Sequence, residues 1–311
     1  MKQCADRRDF LKTALGGAAA LSLAPFAARA SAVHDRAPIT ANRLSENLTV
    51  FSGAGCNVLA ARDGDGLALV DGGLQERSGD LMKAIEASYG KARIRTLFNT
   101  HWHPEQTGSN IRLGNEGATI IAHENTRLWL GYANPTPGEP GHSYGPLPPK
   151  ARPNKTLYAT EKLQVGDEPV ECGYLLQAHT DGDIYVFFRK ANVLVTGGPV
   201  SGEGWPFIDY HTGGWLLGMI DGLRTLIGLA DADTRIIPAN GPVLKRSDLE
   251  AQRAMYAMIA DRLSKMLRQG LAPDEAVARA PTKEFDAQWG EPTQFVTQAF
   301  KSLWGHMAPD A

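Results

Sequence analysis

The chain has 311 residues, of which 43% are hydrophobic, and its 32 basic and 34 acidic side chains give a net charge of −2. A chain of this length and apolar content can bury the core of one large domain or of two fused halves. Because there is no excess of basic residues, nucleic-acid binding is disfavoured.

The first thirty residues have the composition of an export signal. Arg7 and Arg8 precede an Ala- and Leu-rich stretch, which ends in the small-residue triplet Ala28-Arg29-Ala30. This order of charge, apolar run and cleavage site is typical of a secretory signal, and the paired arginines followed by Asp-Phe-Leu-Lys resemble a twin-arginine signal. The predicted partner in export is therefore the twin-arginine machinery, and the predicted location is the periplasm or the medium.

The chain is accordingly divided into a signal peptide at 1–30, a linker at 31–45 and a folded domain at 46–311. Cleavage after residue 30 removes five Lys or Arg and two Asp, so the mature chain has a net charge of −5. The apolar run of the signal is too short, and too interrupted by Gly and Pro, to span a bilayer. No stable membrane span is expected in the mature protein.

Apolar runs bounded by Gly and Asp-Gly predict short strands, and apolar residues at helical spacing predict helices. The predicted order is strands at 48–50, 57–61 and 67–70, a helix at 75–89, strands at 96–98 and 119–122, a Pro- and Gly-rich lid loop at 134–153, strands at 174–178, 184–188 and 193–196, a helix at 216–229, a strand at 235–238 and helices from 247 onward. Strands followed by helices occur twice in the same order, which indicates a duplicated half.

A pair of histidines, His101 and His103, follows the strand predicted at 96–98. Alternate side chains of an extended segment share one face, so both imidazoles point the same way and can bind one metal ion at about 2.0–2.1 Å each. An isolated H-x-H is weak evidence for a metal. Here the chain adds His179, which also lies between two predicted strands and before a Gly-containing turn.

Five stretches of the chain, THWHPEQTG, AHTDGD, LVTGG, PANGP and LVDGG, together resemble the motifs of the metallo-β-lactamase superfamily. That family has T-H-x-H-x-D-H-x-G, G-H-T-x-G, T-G-D, G-H-G and L-V-D-T-G in this fold. The resemblance implies an α+β fold, the four-layer αββα sandwich, and a hydrolase of lactams, lactones, thioesters or phosphoesters. It also implies that His101, His103 and His179 bind metal and that Asp71 orients the metal loop by hydrogen bonding.

Four positions depart from the family pattern: Glu105 stands for Asp, Gln106 for His, Gly198 for Asp and Asn240 for His. Amide oxygens bind zinc far less well than imidazole or carboxylate, and glycine offers no side chain, so a tight second zinc is not expected. The resulting hypothesis is a mono-zinc hydrolase that attacks an ester, lactone, thioester or amide-type bond, and the expected partner is a small-molecule substrate. Glu105 would act as general base, and Gln106 and Asn240 would hydrogen-bond the substrate or mark a vestigial second site.

Two alternatives stay open at this point. The protein is a metal- or ligand-binding member of the same fold that has lost hydrolysis, or it holds iron, with Glu105 as a fourth ligand. His211, on the loop after Gly198, is a candidate replacement ligand, and Trp205 and Tyr210 are candidates for lining the cleft.

The other aromatic and thiol side chains receive structural interpretations. Trp102 points away from the two ligands and is expected in the core, and His123 is expected near a helix cap. Cys56 and Cys172 are either buried thiols or a disulfide, since the predicted compartment permits one.

Overall fold

The computed structural model describes residues 38–136 and 141–307. The predicted signal peptide at 1–30 and residues 31–37 of the predicted linker lie outside the described residues. Within the described ranges, no helix combines the length and the apolar character that a bilayer crossing needs.

The strands of the described ranges form two large sheets and one short hairpin. In chain order they are β1 (Thr40–Arg43), β2 (Leu48–Ser52), β3 (Val58–Asp63), β4 (Gly66–Val70), β5 (Ile94–Phe98), β6 (Thr119–His123), β7 (Asn134–Pro135), β8 (Ser143–Tyr144), β9 (Lys155–Leu157), β10 (Glu161–Val165), β11 (Glu168–Tyr174), β12 (Ile184–Phe188), β13 (Val193–Gly197) and β14 (Arg235–Pro238).

The first sheet has seven strands in the order β1-β2-β3-β4-β5-β6-β9, and the second has five in the order β10-β11-β12-β13-β14. Strands β4, β5, β6 and β9 run parallel, as do β13 and β14, while the remaining neighbours are antiparallel. Because β1 pairs with β2, the folded sheet begins inside the stretch predicted as linker.

The helices cover the outer faces of the two sheets. In chain order they are α1 (Ser78–Tyr89), α2 (Pro104–Thr107), α3 (Asn110–Asn115), α4 (Glu124–Trp129), α5 (Leu216–Leu229), α6 (Arg246–Arg268), α7 (Pro273–Ala278), α8 (Asp286–Trp289) and α9 (Thr293–Met307), with 3-10 turns at Gln75–Arg77, Pro149–Ala151 and Tyr210–Thr212.

The alternation of side chains along the strands explains the layers. In β12, Ile184, Val186 and Phe188 belong to the core shared by both sheets, whereas Tyr185 and Phe187 pack with the helices α5, α6 and α9. Because successive strand residues face opposite sides, each sheet buries both of its faces. On the other side, α1 packs on the first sheet. The fold is therefore the αββα sandwich that the sequence predicted.

One predicted strand was misplaced. The apolar run at 174–178 suggested a strand, but β11 ends at Tyr174 and the following residues turn, with Gln177 at a φ of 45°. Leu175 and Ala178 are buried because they pack under α5, not because they belong to a sheet. The apolar residues at 174–178 therefore reflect packing of a turn against a helix and not a strand.

The region at 134–153 contains the hairpin of β7 and β8, which the sequence did not predict. Of the two alternatives for the cysteines, the structure shows buried thiols. Cys56 and Cys172 are free and belong to different core layers. His123 accepts a hydrogen bond from the Asn125 N–H at the start of α4, so it is the capping residue that the sequence indicated.

Glycines bring α5 against the turn that carries His179. A Cβ on Gly218 would overlap the carbonyl oxygen of Gln177, and a Cβ on Gly214 would overlap that of His179. The Trp215 N–H donates to the Ala178 carbonyl at 2.9 Å. These contacts with the start of α5 therefore fix the position of the turn that carries His179.

We predict that Gly218→Ala lowers the free energy of unfolding by about 1–3 kcal/mol, because the added methyl group must displace a backbone carbonyl. The matched control is Gly228→Ala in the same helix, where a Cβ meets no atom within 4 Å. That variant is expected to be neutral or up to about 1 kcal/mol more stable. Denaturant unfolding measures both, and equal values for the two variants would contradict the close approach.

Candidate metal centre

Three histidines converge where the ends of the two sheets meet. His101 and His103 lie in the loop after β5, and His179 lies in the turn between β11 and β12. All three are buried, their candidate ligand nitrogens lie within 4.8 Å of one another, and the ring centroids are 4.6–4.8 Å apart. Among the residues that the structure describes, no second group of three His, Cys, Asp or Glu side chains is placed this closely.

Each of the three rings has one nitrogen engaged by the protein. The Thr100 hydroxyl lies 3.1 Å from Nδ1 of His101, and Oδ2 of Asp209 lies 3.0 Å from Nε2 of His103. Nδ1 of His179 bonds to the carbonyl oxygen of Phe207, which can only accept. The proton of His179 is therefore on Nδ1, and its Nε2 carries the lone pair.

The remaining nitrogens are Nε2 of His101, Nδ1 of His103 and Nε2 of His179. The last two lie 3.1 Å apart. Tetrahedral zinc with bonds of 2.0–2.1 Å places two ligand nitrogens about 3.3 Å apart. The donor set and the spacing of this pair therefore fit a single zinc-sized ion.

Burial also sets the protonation state that a metal requires. Burial and the neighbouring imidazoles lower the pKa of His101 well below its ordinary value, and burial together with His103 lowers the pKa of His179 to about 3. Neutral imidazole is the form that binds metal. His101 and His179 therefore present lone pairs rather than positive charges at neutral pH.

Asp71 holds the ligand loop in place. It follows β4 with a φ of 64°, and its carboxylate accepts from the Thr100 N–H at 2.8 Å and from the Thr100 hydroxyl. Burial raises the pKa of Asp71 to about 7, although these bonds lower it. A cation at the triad would favour the ionised form.

Asp209 is a site residue that the sequence did not single out. Its Oδ2 accepts from the Thr212 hydroxyl at 2.6 Å, and the Thr212 hydroxyl accepts from Nε1 of Trp102 at 3.1 Å. Burial alone would raise the pKa of Asp209, but the hydrogen bond and the charge of His103 hold it below its ordinary value. A buried chain thus runs from Trp102 to the outer nitrogen of His103, and such carboxylates orient metal-binding histidines.

A second buried carboxylate, that of Asp183, lies beside the outer nitrogen of His101. Asp183 is 1% exposed, its Oδ1 has no hydrogen-bond partner, and this oxygen is 4.0 Å from Nδ1 of His101. Its Oδ2 accepts from the Thr180 N–H at 2.6 Å. Burial raises the pKa of Asp183 well above its ordinary value. An orphaned buried oxygen beside the triad fits a site that receives positive charge.

Trp205 and His211, two of the candidates on the loop after β13, have their described ring contacts outside the triad. Trp205 stacks on Phe295 of α9 at 4.6 Å, so it serves packing, and His211 is exposed beside Tyr210 and outside the triad. Phe207 is an aromatic residue at the site that the sequence did not single out, and its ring centroid lies 6.0 Å from that of His103. The ring of Trp102, which the sequence placed away from the ligands, lies nearer to His103, at 4.7 Å. No spacing signal marked Phe207, because its place depends on the fold of the whole loop.

Three of the residues at the changed family positions lie on short elements or loops that follow strands. Glu105 is half-buried in α2, and its carbonyl oxygen accepts from the Cys56 thiol at 2.9 Å. Gln106 is buried, and its carbonyl accepts from the Gly72 N–H at 2.7 Å. Asn240 is half-buried in the loop after β14. These three positions share the metal edge of the sandwich.

A family model and the similar solved structures point to the same family of proteins. The family model described as the metallo-beta-lactamase superfamily matches residues 52–260. The metallo-beta-lactamase from Pontibacter korlensis is 15% identical, with a TM-score of 0.56 over 70% of this chain and 99% of that one. DIM-1 metallo-beta-lactamase is 18% identical, with a TM-score of 0.55 over 71% and 98%.

A longer protein also shares the fold. The inverting sec-alkylsulfatase Pisa1 from Pseudomonas sp. is 15% identical, with a TM-score of 0.66 over 85% of this chain and 50% of that one. A comparison with curated proteins gives no match.

We predict that Asp209→Asn weakens zinc binding about 10- to 100-fold, because a neutral amide replaces the carboxylate that orients His103. Asp233→Asn is the control, since Asp233 is exposed and distant in the fold from the triad loops. Competition titration with a zinc-binding dye measures both affinities. Wild-type affinity in Asp209→Asn would show that the buried chain does not orient His103.

Proposed function

Because the chain belongs to the metallo-beta-lactamase superfamily, we propose that it is a hydrolase that uses one zinc ion held by His101, His103 and His179. The observation that carries the proposal is the convergence of three buried imidazole nitrogens. In each ring the other nitrogen is within hydrogen-bonding distance of a protein oxygen. Three protein ligands leave one of zinc's four positions open for water or substrate, as catalytic zinc sites require.

When bound, zinc supplies Lewis acidity, which polarises a carbonyl oxygen and lowers the pKa of water to about 7. Hydrolysis joins the water oxygen to the acyl carbon, breaks the bond to the leaving group and passes a proton to that group. We assign this proton to Glu105, which lies two residues after His103 and is half-buried. Gln106 and Asn240 supply amides for orienting the substrate.

The proposed substrate carries an ester, lactone, thioester or amide-type bond. Phe207 gives the site an apolar wall beside the ligands. The names of the structural neighbours extend the test panel to β-lactams and an alkyl sulfate. Metal analysis of protein purified without added zinc separates zinc from the iron alternative.

A second candidate function is a metal- or ligand-binding protein without turnover. The observation that favours it is the loss of ligating side chains at Gln106, Gly198 and Asn240, which leaves one group of three ligands among the described residues. The two candidates differ in Glu105, since a binding protein has no use for a proton carrier at that position.

We further propose that the chain is exported by the twin-arginine machinery to the periplasm or the medium. The support is the order of Arg7-Arg8, apolar stretch and Ala28-Arg29-Ala30 in the sequence. N-terminal sequencing of the protein from fractionated cells tests it. A mature chain that starts at residue 31 agrees with export, and an intact cytoplasmic chain contradicts it.

We predict that Glu105→Gln lowers kcat by about 10²–10⁴-fold and leaves the zinc content unchanged, because the amide cannot accept a proton. His179→Ala is expected to lose both zinc and activity. Turnover on the substrate panel and elemental analysis of the same samples measure the two effects.

The matched control is Glu86→Gln, an exposed acid on α1, which should keep wild-type zinc and kcat. Loss of zinc in Glu105→Gln would make this residue a ligand and favour the iron alternative. A zinc-loaded wild-type protein that turns over nothing in the panel would favour the binding protein.

A further inference from the structure

Two glycines at the end of β13 lie between the segments that carry the ligands. A Cβ on Gly197, whose φ is 63°, would lie 2.7 Å from Cβ and Oγ1 of Thr100. A Cβ on Gly198 would lie 2.7 Å from Nε2 of His179 and still nearer to its ring carbons. Real Cβ atoms essentially never come within 3.0 Å of another heavy atom. Gly197 therefore packs directly against the segment of His101 and His103, and Gly198 packs directly against His179.

The ring above Gly198 is not free to move aside. Nδ1 of His179 bonds to the Phe207 carbonyl, and the His179 carbonyl accepts from the Asp209 N–H at 3.0 Å. From the opposite side, Gly214 lies so close that a Cβ there would overlap the same carbonyl. A side chain at position 198 would therefore displace the imidazole from the triad.

This arrangement bears on the second metal that the fold family implies. The position of Gly198 corresponds to the Asp of the T-G-D motif, and a vacated ligand position would leave open space around the glycine. The structure shows the reverse, because the ring of His179 fills the space that an aspartate Cβ needs. Position 198 therefore offers a second ion neither a ligating side chain nor the room for one.

We propose that Gly198 is a positioning residue for the single metal site, which seats the ring of His179 and thereby excludes the family's second metal. The proposal rests on the metal site of the proposed function. Restoring the family's aspartate at this position would damage the first site instead of rebuilding the second.

The first test is titration of wild type, Gly198→Ala and Gly198→Asp with zinc and with cobalt, whose visible spectrum reports the ligand geometry. We expect one ion per chain in the wild type, affinity weakened about 10- to 100-fold in Gly198→Ala with an altered cobalt spectrum, and no second ion in Gly198→Asp. Gly228→Ala is the control and should keep wild-type affinity. Two ions in Gly198→Asp, or wild-type affinity and spectrum in Gly198→Ala, would overturn the proposal.

The second test needs no metal and covers variants that fold poorly. In a chelating buffer, Gly198→Ala should lower Tm by about 2–10 °C in the wild-type background and by much less in a His179→Ala background, where the ring is absent. Equal losses in the two backgrounds would overturn the steric claim. If Gly198→Ala does not fold, recovery of folding in the double variant supports the claim and failure of both overturns it.

The two proposals fail in different ways. A wild-type chain that binds neither zinc nor cobalt would overturn the proposed function. A wild-type chain that binds one ion, with an unperturbed Gly198→Ala, would overturn only the role given to Gly198.

Discussion

Three imidazole lone pairs point into one small buried volume. Hydrogen bonds to the opposite nitrogens of the rings hold them in this orientation. Thr100, Phe207 and Asp209 each engage the outer nitrogen of a different ring. Buried lone pairs without a donor are costly, and mutual repulsion of the three nitrogens adds to that cost. A single cation removes both penalties, because it accepts all three pairs at once.

The sandwich supplies this geometry from both of its halves. Asn57 immediately precedes β3 of the first sheet. Its side-chain amide donates to the carbonyls of Pro238, the last residue of β14 in the second sheet, and Gly241, at 3.0 Å each. Gly197 and Gly198 at the end of β13, and the glycines at and before the start of α5, then allow the His179 turn to lie close to the ligand loop of the first sheet. Small residues and sheet-to-sheet hydrogen bonds thus determine the distance between the ligand segments.

The sequence predicted the parts of this site that depend on local pattern. His101 and His103 alternate on one face after a strand, and that spacing is visible without a fold. Asp209 is not predictable in this way, because it lies 106 residues from the ring that it orients and only the folded loop brings them together. The turn at 174–178 was misread for the same reason, since its apolar residues pack under a helix that comes later in the chain.

The central claim is that one ion is bound by Nε2 of His101, Nδ1 of His103 and Nε2 of His179. Anomalous diffraction at the zinc absorption edge, from crystals of the protein grown with zinc, tests it most directly. We expect one strong peak at about 2.0–2.1 Å from these three nitrogens. A peak that involves other atoms, a second peak of equal strength at the same cleft, or no peak at the triad would contradict it.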